Sequence, residues 1–541
     1  MMDRSLLLAS AGMLAAALFS PAWAQNASAN SRHAAATPIR HIVIIFPENI
    51  SFDHYFGTYP HAKNPPGEPK FIAAPNTPAV NGLQGVLLTK NPNALNPENG
   101  QGAVNPFRLD RSQAATADQQ HAYTPEQMAF HAGLMDLFPK SVGRGDPPEK
   151  GAPSPLNTTG LTMGYFDGNT VTALWHYAQR FTLSDNSYGS TFGPSTPGAI
   201  NLVSGQTNGV IKTRNGKGGL ADGGAGSVTL ISDPNPIGDV CSAPSKMQAA
   251  MGGKNIGDLL TAAGVTWGWF QGGFNLSLEN ANGTTGCRRS VLSPITHRLV
   301  LDYTVHHEPF QYYASTANPT HARPKSIQAI GHNGDGANHQ YDVKDFFAAV
   351  KAGNFPAVSF LKPRGFENGH AGNSDPLDEQ HFEVRVINFL QKQPDWENTA
   401  VIIAYDDSDG WYDHQMSPIV NQSSGSRDAL TGKGSCGNGD TALPGIDPNN
   451  KHAQGRCGFG PRLPMLAISP WAKVNFVDHS LTNQDSIIRF IEDNWLHGER
   501  IGGGSFDSIS NSLTNMFDFS DPPRMSKLFL DEKTGEPTHV K

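Results

Sequence analysis

The stretch His41-Ile42-Val43-Ile44-Ile45-Phe46 decides the fold class of this chain. It is a continuous run of apolar, mostly β-branched residues, which is typical of a strand buried on both faces in a parallel sheet. Similar runs occur at residues 357–361, 400–405 and 464–469. Helical patterns lie among these runs, at residues 172–180, 343–352, 377–392 and 486–495. Strands alternating with helices predict an α/β fold, a sandwich around a mainly parallel sheet.

Two stretches interrupt this alternation, residues 60–115 and residues 205–330. Both are rich in Gly or Pro, and the chain of 541 residues holds 57 Gly and 40 Pro. This share predicts long ordered loops and lies below that of disordered chains. We interpret both stretches as insertions on one core, so that residues 25–541 form a single domain.

The first 24 residues have the pattern of a secretory signal peptide. Arg4 precedes an apolar run from Leu6 to Phe19, and small residues at Ala22 and Ala24 predict cleavage after Ala24. A membrane anchor is the alternative, but the run is shorter than the roughly 20 residues that a span needs. No later apolar stretch is long enough for a stable membrane anchor. The sequence therefore predicts a periplasmic or secreted protein.

Charge excludes one class of partner. The net charge is −8 and no run of Lys or Arg stands out. Nucleic-acid binding, or binding to an anionic membrane through bulk charge, is therefore not expected. The oligomeric state stays open at this point.

Four cysteines suit an oxidising compartment and allow three pairings. We favour the local pairs Cys241–Cys287 and Cys436–Cys457, because each would close a Gly-rich stretch. A zinc site built from these cysteines is not expected, since no Cys-x-x-Cys pair occurs.

Acidic and amide side chains follow two of the predicted strands. Glu48 and Asn49 come after the first run, and Asp406 and Asp407 come after residues 400–405. Ligands of open α/β sheets bind beyond the carboxyl ends of the strands. The four side chains could therefore converge on one hard cation, because such ions prefer oxygen ligands. The alternative is that they cap helices and form turns.

The segment Gly193-Pro194-Ser195-Thr196-Pro197 is a second candidate. A Ser or Thr followed by Pro is typical of a helix N-cap with Pro in the first turn. The alternative is a hydroxyl nucleophile at a helix N-terminus, where the helix dipole favours an anionic substrate. Such a hydroxyl needs a base or a metal for activation. No Gly-x-Ser-x-Gly elbow occurs, which disfavours an esterase-type triad.

The chain contains 20 histidines, so a single one carries little information. Several lie in motif-like surroundings, and each is either an ordinary surface or core residue or a functional group. A functional histidine would hold phosphate oxygens or protonate a leaving group. No His-Glu-x-x-His zinc pattern occurs. The histidines in motif-like surroundings are His121, His306, His307, His339, His370 and His381.

Residues 41–57, HIVIIFPENISFDHYFG, resemble the opening signature of the bacterial phosphoesterase family. This family contains phospholipases C and a branch of secreted acid phosphatases. Further blocks resemble the family in the same order along the chain, namely residues 121–127, 181–186, 193–197, 306–313, 374–378, 405–410 and 469–473.

The resemblance implies an alkaline-phosphatase-like three-layer sandwich. It also implies that Ser195 is the nucleophile, which reacts with the substrate to form a phosphoserine. One divalent metal ion, with Ca, Mg, Mn, Zn and Fe all open, would be held by Glu48, Asn49, Ser195, Asp406 and Asp407. The family's active-site histidines match His121, His306, His307 and His370.

Details of the blocks favour the acid phosphatase branch. Residues 406–410, DDSDG, resemble the phosphatase form, whereas phospholipases usually carry Asp-Glu-His-Gly-Gly there. Ser195 stands where phospholipases often have Thr, and the chain ends soon after the last core block. Ile50 departs from the pattern, since many members carry Arg there. We therefore expect a secreted metal-dependent acid phosphatase acting on small phosphomonoesters. The alternatives are a phospholipase C that cleaves phosphodiester head groups and a non-catalytic secreted metal-binding protein.

Overall fold

The computed structural model describes residues 35–145, 154–437 and 453–538. The predicted signal peptide and its cleavage site lie outside these residues. None of the helices in the described ranges has the length and apolar character needed to cross a membrane.

A central sheet organises the fold. Its eight strands within the described residues are β1 His41–Ile45, β2 Thr182–Ser184, β3 Trp267–Gln271, β4 Gln340–Asp342, β5 Val358–Lys362, β6 Thr399–Ala404, β7 Met465–Ile468 and β8 Phe476–Asp478. Their order is β4-β3-β5-β1-β6-β7-β2-β8. Strand β7 runs antiparallel to both of its neighbours, and the other pairs are parallel. The predicted mainly parallel sheet is confirmed, with β1 at its centre.

Eight helices carry the connections that matter for the site. They are α1 Phe52–Phe56, α2 Tyr123–Phe130, α3 Thr172–Arg180, α4 Ser195–Ser204, α5 Ile256–Ala263, α6 Val343–Lys351, α7 Pro376–Gln391 and α8 Asp485–Trp495. The four helices predicted from periodicity, α3, α6, α7 and α8, are confirmed to within one residue at each end.

Alternate side chains of β1 enter opposite cores, as the period of a strand requires. Val43 and Ile45 pack into the core that contains residues of α3, α6 and α7. Ile42 and Ile44 pack into the core that contains residues of α4, α5 and α8. The molecule is therefore a three-layer sandwich. Burying each such side chain contributes about 1.5–3 kcal/mol, which explains the continuous apolar run.

Residues 205–330 do more than the sequence indicated. Glycine content marked them as an insertion, yet they supply the core strand β3 and helix α5. The interpretation as a pure insertion is therefore wrong for this part. The rest of the stretch contains small separate sheets. Their strands are Val210–Arg214, Leu220–Gly224, Ser227–Leu230, Asn235–Pro236, Gln248–Met251, Ser290–Leu292 and Leu299–Leu301.

Residues 60–115 fit the prediction of an ordered loop. They contain the short helices Val86–Thr89 and Pro92–Leu95 and the two-residue strand Phe107–Arg108. Asparagine caps order the segment, since the Asn91 side chain accepts from the Asn93 amide at 2.9 Å.

Both favoured disulfides are present, Cys241–Cys287 and Cys436–Cys457. Their Cα atoms lie 5.3 and 5.8 Å apart, within the usual range. Each closes a loop and would contribute about 3–4 kcal/mol in a chain-entropy description.

Candidate active site

Strands β1 and β6 are adjacent and parallel, with Ile45 opposite Ile403, so their following loops leave the same edge of the sheet. A direct contact joins these loops: the Asn49 amide donates to Asp406 Oδ1 at 3.1 Å. Asn49 has φ of 66°, a left-handed conformation that Asn tolerates better than most residues. The sequence prediction that these loops meet is therefore fulfilled geometrically.

Three buried carboxylates meet at this edge, and we call Glu48, Asp406 and Asp407 the carboxylate cluster. Lys362, the last residue of β5, lies between two of them. Its Nζ is 3.0 Å from Glu48 Oε1 and 2.9 Å from Asp406 Oδ2. Lys362 thus compensates part of the charge of Glu48 and Asp406 and leaves Asp407 without a lysine contact among the residues that the structure describes.

The donor set fits a divalent cation. Glu48 Oε2 and Asn49 Oδ1 are buried and have no hydrogen-bond partner among the described residues. Burial raises the pKa of Asp407 well above its usual range and raises the pKa of Asp406 to about 6. Such shifts mark carboxylates whose charge the protein itself does not compensate. Oxygen ligands of this kind suit a hard ion.

Helix α4 presents Ser195 to this cluster. The N-cap of α4 is Pro194 and no side chain caps the helix, so the interpretation of Ser195 or Thr196 as the cap is wrong. The Ser195 hydroxyl instead donates to Asp407 Oδ2 at 3.1 Å. The Thr196 hydroxyl points elsewhere and donates to the His306 carbonyl at 3.2 Å.

Gly198 explains how the helix comes so close. A Cβ at this position would lie 2.1 Å from the Asp406 carbonyl oxygen, well inside contact distance. The main chains of α4 and of the loop after β6 therefore touch, and this contact sets the separation between Ser195 and Asp407.

His121 and His370 lie beside the cluster with their ring centroids 5.9 Å apart. His121 Nδ1 is 3.1 Å from Asp409 Oδ1. Burial lowers the pKa of His121, but Asp407 and Asp409 outweigh burial and raise it well above its usual range. Burial is likewise outweighed at His370, where Asp409 and Glu48 raise the pKa. Both rings are therefore suited to hold anionic oxygens as charged donors.

His306 and His307 form a second pair, with ring centroids 4.2 Å apart. His307 Nδ1 lies 2.5 Å from Glu48 Oε1. Burial lowers the pKa of His307 to about 3 and also lowers the pKa of His306. These two rings are neutral donors, in contrast to His121 and His370.

Several site residues escaped the sequence analysis. Lys362 was missed because a lysine at the end of an apolar run is typical of a strand terminus. Its position at the same edge of the sheet as Glu48 and Asp406 could have indicated a role in the site. Glu126 on α2 accepts from the Gly193 amide at 2.8 Å and from the Ser408 hydroxyl at 2.7 Å. It thus connects the loop before α4 to the loop after β6, and burial raises its pKa to about 7. Asn368 donates to Glu48 Oε1 at 2.9 Å.

A cavity of about 390 Å³ lies at the same edge of the sheet, near the ends of β3, β4 and β5. Its lining includes Arg289, Asp342 and Arg364 and none of the predicted site residues.

Helix α4 thus brings a serine hydroxyl at its N-terminus to a buried carboxylate beyond a mainly parallel sheet, an arrangement that suits the binding of an anionic ligand. The chain belongs to the Phosphoesterase family, whose family model matches residues 39–496.

Similar curated proteins are bacterial phospholipases C. The non-hemolytic phospholipase C of Burkholderia pseudomallei is 25% identical over 95% of this chain and 64% of its own length. The non-hemolytic phospholipase C of Pseudomonas aeruginosa is 23% identical over 91% of this chain and 59% of its own length. Phospholipase C A of Mycobacterium tuberculosis is 24% identical over 91% of this chain and 79% of its own length. The chain thus spans about three fifths of the first two relatives.

Solved structures that match this chain include a member of the alkaline phosphatase superfamily from Vibrio parahaemolyticus, with 13% identity, a TM-score of 0.27 and 63% of each chain covered. A variant of the alkaline phosphatase PafA has 10% identity and a TM-score of 0.28, and covers 63% of this chain and 93% of its own.

Proposed function

We propose that this protein is a metal-dependent phosphoester hydrolase in which Ser195 is the nucleophile. The observation that carries the proposal is the hydrogen bond of 3.1 Å from Ser195 Oγ to Asp407 Oδ2 at the start of α4. It places a hydroxyl at a helix N-terminus, against a carboxylate and among groups that bind anions. Thr196, the alternative nucleophile, has its hydroxyl engaged with a backbone carbonyl.

One divalent ion would be held by Glu48, Asn49, Ser195, Asp406 and Asp407. Bound there, the ion would supply Lewis-acid stabilisation of negative charge and lower the pKa of the Ser195 hydroxyl. The orphaned oxygens of Glu48 and Asn49 support this assignment. The identity of the ion is left to metal analysis.

In the proposed reaction the Asp407 carboxylate orients Ser195 Oγ toward phosphorus. Ser195 Oγ gives its proton to Asp407 as the Oγ–P bond forms and the bond from phosphorus to the leaving oxygen breaks. His121 and His370 hold phosphoryl oxygens, and one of them gives a proton to the leaving oxygen. Water, which returns a proton to that histidine, then cleaves the phosphoserine, and Ser195 Oγ regains its proton from Asp407. His306 and His307 complete the wall on the Glu48 side.

We propose a phosphodiester head group of a phospholipid as the first substrate class, because the three similar curated proteins are phospholipases C. Small phosphomonoesters are the second candidate. Two observations favour them: the sequence of residues 406–410 and the serine at position 195, both of the acid phosphatase form. In either case we propose that the chain acts outside the cytoplasm, as one catalytic domain after cleavage at Ala24.

The test assays metal-analysed protein on phosphatidylcholine and on p-nitrophenyl phosphate from pH 4 to pH 9. Release of diacylglycerol supports the phospholipase reaction, and faster release of p-nitrophenol with an acid optimum supports the phosphatase. Ser195→Ala should abolish turnover of whichever substrate is cleaved, whereas Thr196→Val should retain it. Turnover by Ser195→Ala would reject the proposed nucleophile. Metal binding without hydrolysis of either substrate would identify a non-catalytic protein.

A further inference from the structure

A β-hairpin exposes three leucines on one face. Its strands, Ser290–Leu292 and Leu299–Leu301, are antiparallel, with Leu292 opposite Leu299 and Ser290 opposite Leu301. Paired residues and residues two apart share a face of a sheet, so Leu292, Leu299 and Leu301 lie on the same side. They are 58%, 63% and 47% exposed, while Val300 on the other side is buried. We call these three side chains the leucine face.

The hairpin that carries the leucine face is basic, although the chain carries −8. Residues 288–301 contain Arg288, Arg289, Arg298 and His297 and no Asp or Glu. Arg289 is buried and paired with Asp302 at 2.9 Å. Arg288, His297 and Arg298 are exposed. An apolar face bordered by exposed basic side chains complements an anionic amphiphilic surface.

The hairpin is attached to the wall of the active site. Arg298 Nη1 donates to the Gly372 carbonyl at 2.7 Å, two residues beyond His370. The chain leaving Leu301 reaches His306 after five residues. At the other end, the disulfide Cys241–Cys287 fixes the chain three residues before the hairpin begins. The leucine face is therefore held close to the histidines.

We propose that the leucine face docks on the surface of a phospholipid bilayer that contains anionic lipids. This inference rests on the proposed function, since docking would bring a head-group phosphoester to Ser195. The leucines enter the boundary between head groups and acyl chains, and the exposed arginines contact lipid phosphates. Bulk charge predicted no affinity for an anionic membrane; the local arrangement reverses that expectation.

The experiment measures flotation of the full chain with vesicles of phosphatidylcholine, one third of it replaced by phosphatidylglycerol. Ser195→Ala serves as the background so that the lipids stay intact. Replacing the leucine face by serine should lower the partition coefficient about 10- to 100-fold. The matched control, Ile72→Ser, Leu95→Ser and Ile211→Ser, changes three side chains that are more exposed than the leucine face but separate in the sequence, and it should float as the parent does.

Charge is tested with Arg288→Gln. Its binding to the anionic vesicles should fall about fivefold, with little change on pure phosphatidylcholine. The catalytic machinery is followed in parallel, by turnover of the soluble diester p-nitrophenyl phosphorylcholine and of p-nitrophenyl phosphate. When Ser195 is retained, the variant with serines in the leucine face should turn over both soluble substrates as fast as the parent.

Equal flotation of the leucine variant and the parent would overturn the proposal, as would a parent that binds no vesicle. A dimer that dissociates on removing the leucines would identify a second copy as the occupant and would also overturn it. If the parent floats through its leucines but cleaves no phosphoester, docking stands and the proposed function fails. If soluble esters are cleaved but vesicles are not bound, the docking proposal alone fails.

Discussion

The two loops that follow β1 and β6 build two acidic clusters of very different character. The carboxylate cluster is the first. The second comprises Asp53, Asp413, His414 and Arg462, and we call it the arginine cluster. Arg462 lies 3.0 Å from Asp53 and 3.1 Å from Asp413. His414 Nδ1 lies 2.6 Å from Asp53 Oδ2. Both clusters are buried acids with a histidine nearby, so composition alone does not distinguish them.

The two clusters differ in which groups supply the positive charge. In the arginine cluster, two cationic groups face two carboxylates. Burial raises the pKa of Asp53, but His414 and Arg462 outweigh burial and hold it below its usual value. At Asp407 the outcome is opposite, and burial leaves the pKa far above its usual range. The protein's own cations therefore compensate Asp53, whereas Asp407 is the carboxylate whose charge a bound cation would compensate.

The largest expected effect tests this contrast at Asp407. Asp407→Asn removes an uncompensated charge, so the chelated variant should melt at a higher temperature than the chelated parent. Activity should fall by about 10⁴-fold, because metal stabilisation of negative charge is lost. Calorimetry in the presence of chelator measures the melting temperature, and turnover measures the activity. Metal content per chain shows whether the variant still binds the ion. A variant that binds metal and turns over as the parent does would remove Asp407 from the site.

At Arg462 the expected effect is on stability. Arg462→Met leaves Asp53 and Asp413 buried without their guanidinium, which should cost about 3–5 kcal/mol in the free energy of unfolding. Metal content per folded chain should not change. The measurement is urea unfolding. Arg456→Met is the matched control: this buried guanidinium donates to the carbonyls of Gly205 and Gly504 and forms no ion pair with a carboxylate in the part of the chain that the structure describes, so its loss should cost less. Loss of metal from the Arg462 variant would show that the clusters are not separate.

Lys362 in the carboxylate cluster has a role like that of Arg462 in the arginine cluster. It compensates part of the negative charge of Glu48 and Asp406, as Arg462 does for the acids that it contacts. Lys362→Met should destabilise the chelated chain by about 3 kcal/mol and the metal-loaded chain by less, because the metal supplies the missing charge. Unfolding with and without metal tests this, with the exposed Lys351→Met as control. An equal loss under both conditions would contradict the prediction.

The smallest effect is a pH dependence in the arginine cluster. Burial lowers the pKa of His414, but Asp53 outweighs it and the pKa is raised. A raised pKa in the folded state means that the contribution of His414 is complete below its ordinary pKa of 6.5 and is lost as pH rises through the folded value. His414→Gln should therefore cost about 1–2 kcal/mol at pH 6 and less at pH 9.

Unfolding of the parent and of His414→Gln at the two pH values gives the comparison. His479→Gln is the control, since the His479 side chain contacts Asp185 but is 67% exposed. A penalty for His414→Gln that grows with pH would show that the charge of His414 does not support Asp53.

The fold was predictable where long apolar runs mark buried strands, and β1 and β6 are the clearest cases. Strand β3 was missed because Trp267-Gly268-Trp269 contains a glycine, packed against Tyr341, inside a glycine-rich region. Strands β2, β4 and β8 were missed because three residues are too short for a pattern.

In the site, the sequence predicted the side chains whose chemistry suits metal binding or nucleophilic attack. It missed the buried side chains that pair with them or hold their loops. Glu48, Asn49, Ser195, Asp406 and Asp407 were found from position and resemblance, and the structure brings them together. Lys362 and Glu126 act through burial and through partners more than 40 residues away, which local patterns do not contain. The exposure of the leucine face was equally invisible, because it depends on which side of the hairpin packs inward.

The contact of Gly198 with the carbonyl of Asp406 has a consequence for redesign. The separation of the backbones that carry Ser195 and Asp407 is set by this contact between two main chains. An engineer is therefore free to exchange the reactive group at position 195 while the scaffold keeps its spacing. The same engineer has no freedom at position 198, where a single added methyl group would push the whole helix away.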